Sequence, residues 1–186
     1  MFSKDAFGRS PQTFVVSKEI SNCPLISDMS RLGSRCRELG VAEGDRVLLT
    51  YDYGKRLLVT AQHADAKHLR QEDIVEIVDY NPLKDIMMVI GPKDPNTDAP
   101  VQWMIQKARH DINITLQIIN PTLCDTLPST IPRTTEPLPT TTIEKAKILL
   151  KALHTSPVIG IPSQGIMIIG VNAKAIEQLL ATSLKT

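Results

Sequence analysis

The chain has 186 residues, with 21 Lys and Arg against 20 Asp and Glu, for a formal net charge of +1. Its 42% hydrophobic and 22% charged residues are those of a globular protein, not of a disordered or fibrous one, and its length suits one ordinary domain. The near-neutral balance argues against a dedicated nucleic-acid binder, which carries a basic excess.

Two scarcities stand out. Aromatics make up only 4%, and there are four histidines, His63, His68, His110 and His154, which narrows the available metal and acid–base chemistry. The opening residues MFSKDAFGRS lack the apolar stretch of a secretory signal. No run of about 18 apolar residues predicts a membrane span. Cys23, Cys36 and Cys124 are odd in number, widely spaced and without a CxxC pair. They read as reduced, packed thiols of a cytoplasmic protein.

In chain order, residues 1–23 hold no clear periodic element and read as an extended lead-in to a single domain, residues 24–186. After Pro24, the spacing of Leu25, Met29, Leu32, Cys36 and Leu39 predicts a helix that Gly40 closes. Asp45–Tyr51 and Arg56–Thr60 predict a hairpin about the turn Asp52-Tyr53-Gly54-Lys55. Ile74–Tyr80 and Ile86–Ile90 predict strands about Asn81-Pro82. Residues 93–100 read as loop, Val101–Arg109 as a short helix, and Ile112–Ile119 as a strand ended by Pro121. Residues 126–142 are rich in Thr and Pro, which forbids a regular helix or central strand. A helix resumes with Ile143, Ala146, Leu150 and Leu153. Strands Val158–Ile161 and Ile166–Ile169 follow, and Ala173–Leu184 is the closing helix. The pattern is α/β, a mixed sheet covered by helices.

Local chemistry is sparse. His63 and His68 stand five apart, beside Glu72 and Asp73. Helical metal-ligand pairs prefer i, i+3 or i+4. His110 and His154 follow or end helices, where a cation suits the dipole. Lys145, Lys147 and Lys151 read as a solvated helix face. Neither a GxxxxGK[ST] nor a GxGxxG phosphate loop occurs, and no GxSxG elbow.

Three stretches carry a family resemblance. Gly44–Asn81 (GDRVLLTYDYGKRLLVTAQHADAKHLRQEDIVEIVDYN) resembles a Gly-Asn-x-Ser strand, a strand ending Thr-Pro-Ser-Gly and a further acidic-apolar strand. Ala99–Pro121 (APVQWMIQKARHDINITLQIINP) resembles a Ser-x-Glu helix followed by a His-x-His strand. Val158–Leu180 (VIGIPSQGIMIIGVNAKAIEQLL) resembles an apolar strand, a His-Gly turn, a strand ending in Gly and a closing helix. Together they resemble the class II aldolase/adducin family over roughly residues 25–184. The resemblance implies a three-layer α/β/α sandwich with a central mixed, largely antiparallel sheet. It also implies a homo-oligomer, possibly a tetramer. In family enzymes three histidines hold a divalent metal, usually zinc, and a glutamate is the acid/base in cleavage of a sugar phosphate.

Carried over by position, those residues are replaced. The glutamate falls on Gln102, the His-x-His strand falls within Gln117–Asn120 in a register uncertain by one residue, and the third histidine falls on Gln164. Gly-Asn-x-Ser reads Gly44-Asp45-Arg46-Val47, and Thr-Pro-Ser-Gly reads Thr60-Ala61-Gln62-His63. An amide is neither an acid/base at neutral pH nor a strong zinc ligand, and Asp45 repels a phosphate unless a cation such as Arg46 or Arg56 counters it. The expectation is therefore a family-like domain without zinc chemistry or another cofactor, a small-ligand-binding or scaffold protein. The ligand-binding candidates are Gln102, Asn120, Gln164, Thr60 and Arg46, and the ligand is a sugar-like or phosphorylated metabolite. The alternative is a divergent sugar-phosphate aldolase or epimerase, working through His63, His68, Glu72 or Asp73 or through a metal such as zinc at the substituted positions.

Overall fold

Alternation along the strands decides what each face of the sheet buries. In β8 (Gly165–Gly170), Ile166 and Ile168 join one hydrophobic cluster and Met167 and Ile169 the other. A strand apolar on both sides needs cover on both sides, and the helices supply it. The computed structural model describes residues 11–41, 46–135 and 138–184. Gly44 and Asp45 therefore lie outside the described residues, as do Glu136 and Pro137 of the Thr/Pro segment.

The strands are β1 (Gln12–Ser17), β2 (Val47–Tyr53), β3 (Arg56–Thr60), β4 (Ile74–Asn81), β5 (Ile86–Ile90), β6 (Ile114–Ile119), β7 (Val158–Ile161) and β8. They form one sheet in the order β1-β5-β4-β3-β2-β6-β8-β7. The β1–β5 pair is parallel and the other pairings are antiparallel. The helices are α1 (Ile26–Glu38), α2 (Ala99–Ala108), α3 (Pro121–Thr126), α4 (Thr142–Thr155) and α5 (Ala173–Ser183). Met29, Leu32 and Cys36 of α1 and Ile176 and Leu180 of α5 share one core with Leu49, Leu116, Ile166 and Ile168. Val101 and Ile105 of α2 and Leu149 and Leu153 of α4 share the other with Ile159, Met167 and Ile169. This is a three-layer α/β/α sandwich about a mixed, largely antiparallel sheet.

Most predicted elements stand within two residues of their expected ends. Gly40 follows α1 at φ 67, the left-handed conformation expected of a residue that ends a helix. Three differences have physical causes. The extended lead-in contributes β1, whose residues gain their partner 74 positions away, from Gln12 to Ile86, a contact that local periodicity does not report. Residues 121–126 form α3, with Pro121 in its first turn, where a missing N–H costs nothing. The inner face of α4 centres on Leu149, with Leu150 only half-buried. Cys23, Cys36 and Cys124 are buried and form no disulfide, and no helix among the described residues is long and apolar enough to cross a membrane.

One buried aspartate ties together the loops after β3 and β5 and the turn before β4. Asp73, 5% exposed, ends a short 3-10 turn, Gln71–Asp73. Its side chain accepts from the Arg70 N–H at 2.9 Å and from Lys93 Nζ at 2.6 Å, and its carbonyl accepts from the Ala61 N–H at 2.8 Å. Burial pushes its carboxyl up. The Lys93 hydrogen bond, the Arg70 N–H and the two cations outweigh burial and hold it below the ordinary carboxylate range. A group lowered on folding stabilises the fold above its unfolded pKa, and that stability is lost as pH falls through the folded value. Asp73→Asn is expected to lower stability at neutral pH by about 1–2 kcal/mol and to shrink the acid-side loss of stability, as read by urea unfolding at a series of pH values.

Candidate functional site

The sequence candidates come from distant parts of the chain, and the strand register brings them to one edge of the sheet, the line of strand ends where β2 and β8 begin and β3 and β6 end, not its outer strands β1 and β7. Thr60 ends β3 opposite Ile74, and Val47 opens β2 opposite Ile118. Ile119 ends β6 opposite Gly165, which opens β8. Arg46, Thr60, Asn120 and Gln164 therefore stand at the same edge, and α2 begins there with Gln102 in its first turn.

Side-chain contacts divide that group. Gln102 is fully buried. Its Oε1 accepts from Asn96 Nδ2 and its Nε2 donates to Gln117 Oε1, both at 3.4 Å. Gln117 Nε2 donates to Asp98 Oδ2 at 2.7 Å, and Asp98 Oδ1 accepts from Lys145 Nζ at 2.6 Å. At the other end, Asn96 Nδ2 also donates to the Thr60 carbonyl at 3.0 Å. One hydrogen-bonded run thus joins Thr60, Asn96, Gln102, Gln117, Asp98 and Lys145. The Thr60 hydroxyl accepts from the Leu49 N–H at 3.2 Å.

Asn120 does not join this run. Its amide donates to the Val41 carbonyl at 3.0 Å, toward the loop after α1. Gln164 is half-buried in the β7–β8 turn, and Arg46 is exposed. The contact between Gln102 and Gln117 shows which side of β6 faces the start of α2. Gln117 and, by strand alternation, Ile119 face α2, whereas Asn120 has its own partner on the chain.

Two backbone features stand in the loops that the resemblance singles out. His63, where the Thr-Pro-Ser-Gly pattern has glycine, adopts φ 61. A left-handed histidine costs roughly 1–2 kcal/mol, so the loop keeps its shape against local preference. Gly165, after Gln164, has φ 141, and a Cβ there would lie 2.0 Å from the Ile118 carbonyl oxygen. Only glycine fits so close to the end of β6.

The donor set does not fit a three-histidine zinc. Gln102, Gln117, Ile119 and Gln164 offer amides and an alkyl group, and the first two amides are already bonded to each other. All four histidines are exposed. His68 Nδ1 pairs with Asp65 Oδ2 at 3.0 Å, away from the amide run. Among the described residues, no group of three or more His, Cys, Asp or Glu is arranged to hold a metal ion. Glu72 and Asp73 pair with Arg70 and Lys93.

Residue types missed Asn96, Asp98 and Lys145. Lys145 is a correction: its side chain is 15% exposed against 65% for Lys147, so it does not belong to a solvated face. The signal was available, since Lys145 precedes Leu149 by one turn and shares its side of α4. Asn96 also lines a cleft of about 270 Å³ with Thr13, Gln62, Asp94 and Thr97. These are hydroxyl, amide and carboxylate groups, suited to a ligand rich in hydrogen-bonding atoms.

No protein-family model matches the chain, and no curated protein matches its sequence. Solved structures do match its fold. An L-fuculose 1-phosphate aldolase superposes with a TM-score of 0.67 at 13% identity, over 89% of this chain and 85% of that one. The L-fuculose-1-phosphate aldolase from Thermus thermophilus gives 0.63 at 13% identity, over 86% and 91%. The N-terminal class II aldolase domain of a conserved protein from Thermoplasma acidophilum gives 0.60 at 9% identity, over 90% and 93%. The chain has the class II aldolase/adducin-like fold.

Cutting the run at Gln117 strands a buried amide on one side and a carboxylate on the other. Gln117→Leu is expected to destabilise by about 2–4 kcal/mol, since two groups are stranded at roughly 1–3 kcal/mol each and Asp98 keeps Lys145. Adding Gln102→Leu is expected to cost less than the sum of the single changes, measured as a double-mutant cycle in urea.

Proposed function

We propose that the chain is a divergent relative of the class II aldolases that binds a small, polyhydroxylated carbonyl compound, free or phosphorylated, at this sheet edge. We propose further that it acts on that compound as a lyase or epimerase without the three-histidine zinc set. The observation that carries the reading is the hydrogen-bonded run from Thr60 to Lys145. It includes Gln102, where the resemblance puts the acid/base, and Gln117, in one of the two registers the resemblance leaves for the His-x-His strand, and it ends on a carboxylate–ammonium pair. The aldolase fold of the solved structures supports an enzyme over a scaffold.

Cleavage or epimerisation next to a carbonyl requires a proton to leave one atom and another to arrive. Gln102 supplies neither. Asp98 and Lys145 are a carboxylate and an ammonium in contact, 17% and 15% exposed, so they join the run to solvent. In this reading Asp98 takes the proton and Lys145 gives one up. The amides of Gln117 and Gln102 hold the pair in place and offer N–H and C=O groups to a substrate that displaces their mutual 3.4 Å contact. Gln62, Asn96 and Thr97 in the adjoining cleft hold its hydroxyls.

A second reading rests on one feature. Gln102 is fully buried and bonded on both amide atoms, which suits a closed, non-catalytic ligand-binding domain.

Incubation with phosphorylated ketoses and aldoses, L-fuculose 1-phosphate among them, followed by proton and phosphorus NMR, separates the two. The enzyme reading predicts products that form in the presence of EDTA. Lys145→Met and Asp98→Asn are each expected to slow their formation by about a hundredfold. Saturable binding without product selects the second reading, and turnover abolished by EDTA contradicts the zinc-free chemistry.

A further inference from the structure

The polar groups of α2 continue inward past the run described above. Asp98 at its cap and Gln102 and Gln106 within it follow at steps of four, one turn apart on a single side of the helix. Gln106 is 6% exposed, and neither its Oε1 nor its Nε2 has a hydrogen-bond partner among the described residues. Thr50 of β2 and Thr115 of β6 are fully buried, and neither hydroxyl has a partner there either. These are four of the five buried side-chain polar atoms without a partner among the described residues, the fifth belonging to Thr134. Turning the Gln106 amide over exchanges its two ends and pairs neither. Buried polar groups without partners are rare because they are costly, and three such side chains ask for one shared cause.

The topology puts the three together. Residues 109–113 join the end of α2 to the start of β6, so α2 lies back along β6 in the opposite direction, packed on β6 and β2. Gln102 meets Gln117. One helical turn onward from Gln102, about 6 Å, leads to Gln106. Two residues back along the strand from Gln117, about 7 Å, lead to Thr115. The two steps match, so Gln106 stands over Thr115. Thr115 shares the face of Gln117, and Thr50 lies opposite it on β2. On its other side Thr115 lies opposite Ile169, which belongs to the core beneath α2 and α4. The Asp52 N–H donates to the Asn113 carbonyl at 2.8 Å. That makes 52–113, and two residues along 50–115, hydrogen-bonded positions, the wider of the two spacings in an antiparallel pair. The two hydroxyls therefore stand apart beneath one amide.

We propose that Gln106, Thr50 and Thr115 form an internal water-binding site between α2 and the sheet, holding about one or two ordered waters. The donor set suits that occupant. The amide offers two N–H groups and a carbonyl, and each hydroxyl donates once and accepts. A buried water makes about three hydrogen bonds, so it bridges groups that stand too far apart to meet directly. None of the three side chains is charged, and the neighbouring Ile105 and Ile169 are apolar, so an ion finds no counter-charge here. The water extends the satisfied polar run by one further turn of α2. The helix is then held to the sheet by direct amide contact in its first turn and through water in its second. This inference is independent of the chemistry proposed for the sheet edge.

Oxygen-17 relaxation dispersion of the solvent tests it, since it counts waters held inside the chain for longer than the chain tumbles and is blind to proton exchange from hydroxyls. The wild-type chain is expected to hold more such water than Gln106→Met, by about one or two molecules per chain. Unfolding in urea supplies a check that does not depend on that variant alone. Gln106→Met, Thr50→Val and Thr115→Val keep side-chain shape while removing the polar atoms. With water shared among the three groups, each single change strands the others and is expected to lower the urea midpoint. The triple change is expected to lower it by less than the sum of the single changes. Equal dispersion amplitudes in the wild-type and Gln106→Met chains overturn the proposal. So do single changes that each raise the midpoint and add, which is the behaviour of polar groups that share no water.

Discussion

The contact between the Gln102 and Gln117 amides is the interaction on which the functional edge depends. It ties the first turn of α2 to the middle of the sheet, at a depth where bulk water does not replace a lost partner. The rest follows from it in both directions. Gln117 holds Asp98, Asp98 holds Lys145 of α4, and Gln102 holds Asn96, which reaches the Thr60 carbonyl. Two helices of one layer and two strands of another are joined through polar groups that satisfy one another. Such a run stabilises when complete and costs several kcal/mol when broken, so its members are not free to vary singly.

Around that run the backbone is held to demanding shapes. Gly165 lies against the Ile118 carbonyl where no side chain fits, and His63 keeps a left-handed turn without being glycine. The buried Asp73 carboxylate binds the turn before β4 to the loop after β5, and that loop carries Asn96. Strained or closely packed positions gathered at one edge are a pattern associated with function rather than with stability alone. The fold is aldolase-like, and the groups gathered at this edge are amides with one carboxylate and one ammonium.

Much of this was legible in the sequence. Period-two and period-3.6 apolar spacing located β2 to β8 and four of the five helices, because each buries a face whose pattern is local. β1 was not legible as a strand, since its pairing with Ile86–Ile90 is distant and its own residues are exposed on both faces. Of the residues the family resemblance singled out, Gln102 beside Trp103 joins the hydrogen-bonded run, and Gln164 beside the turn glycine stays in the β7–β8 turn, outside it. The choice between Gln117 and Asn120 was not legible, because register across β6 is a tertiary fact. Lys145 was obscured by its neighbours Lys147 and Lys151. One charged residue in three turned inward to meet Asp98, and its sign in the sequence was its place one turn before Leu149.

The central claim is that amides, not histidines, occupy the reacting end of an aldolase-like sheet. Zinc content bears on it most directly, measured by elemental analysis of protein purified without chelators and then titrated with zinc. The account predicts substoichiometric zinc after dialysis and no saturable uptake that Gln102→Leu or Gln117→Leu removes. Stoichiometric zinc that survives dialysis and is lost on changing Gln102, Gln117 or Gln164 would contradict it.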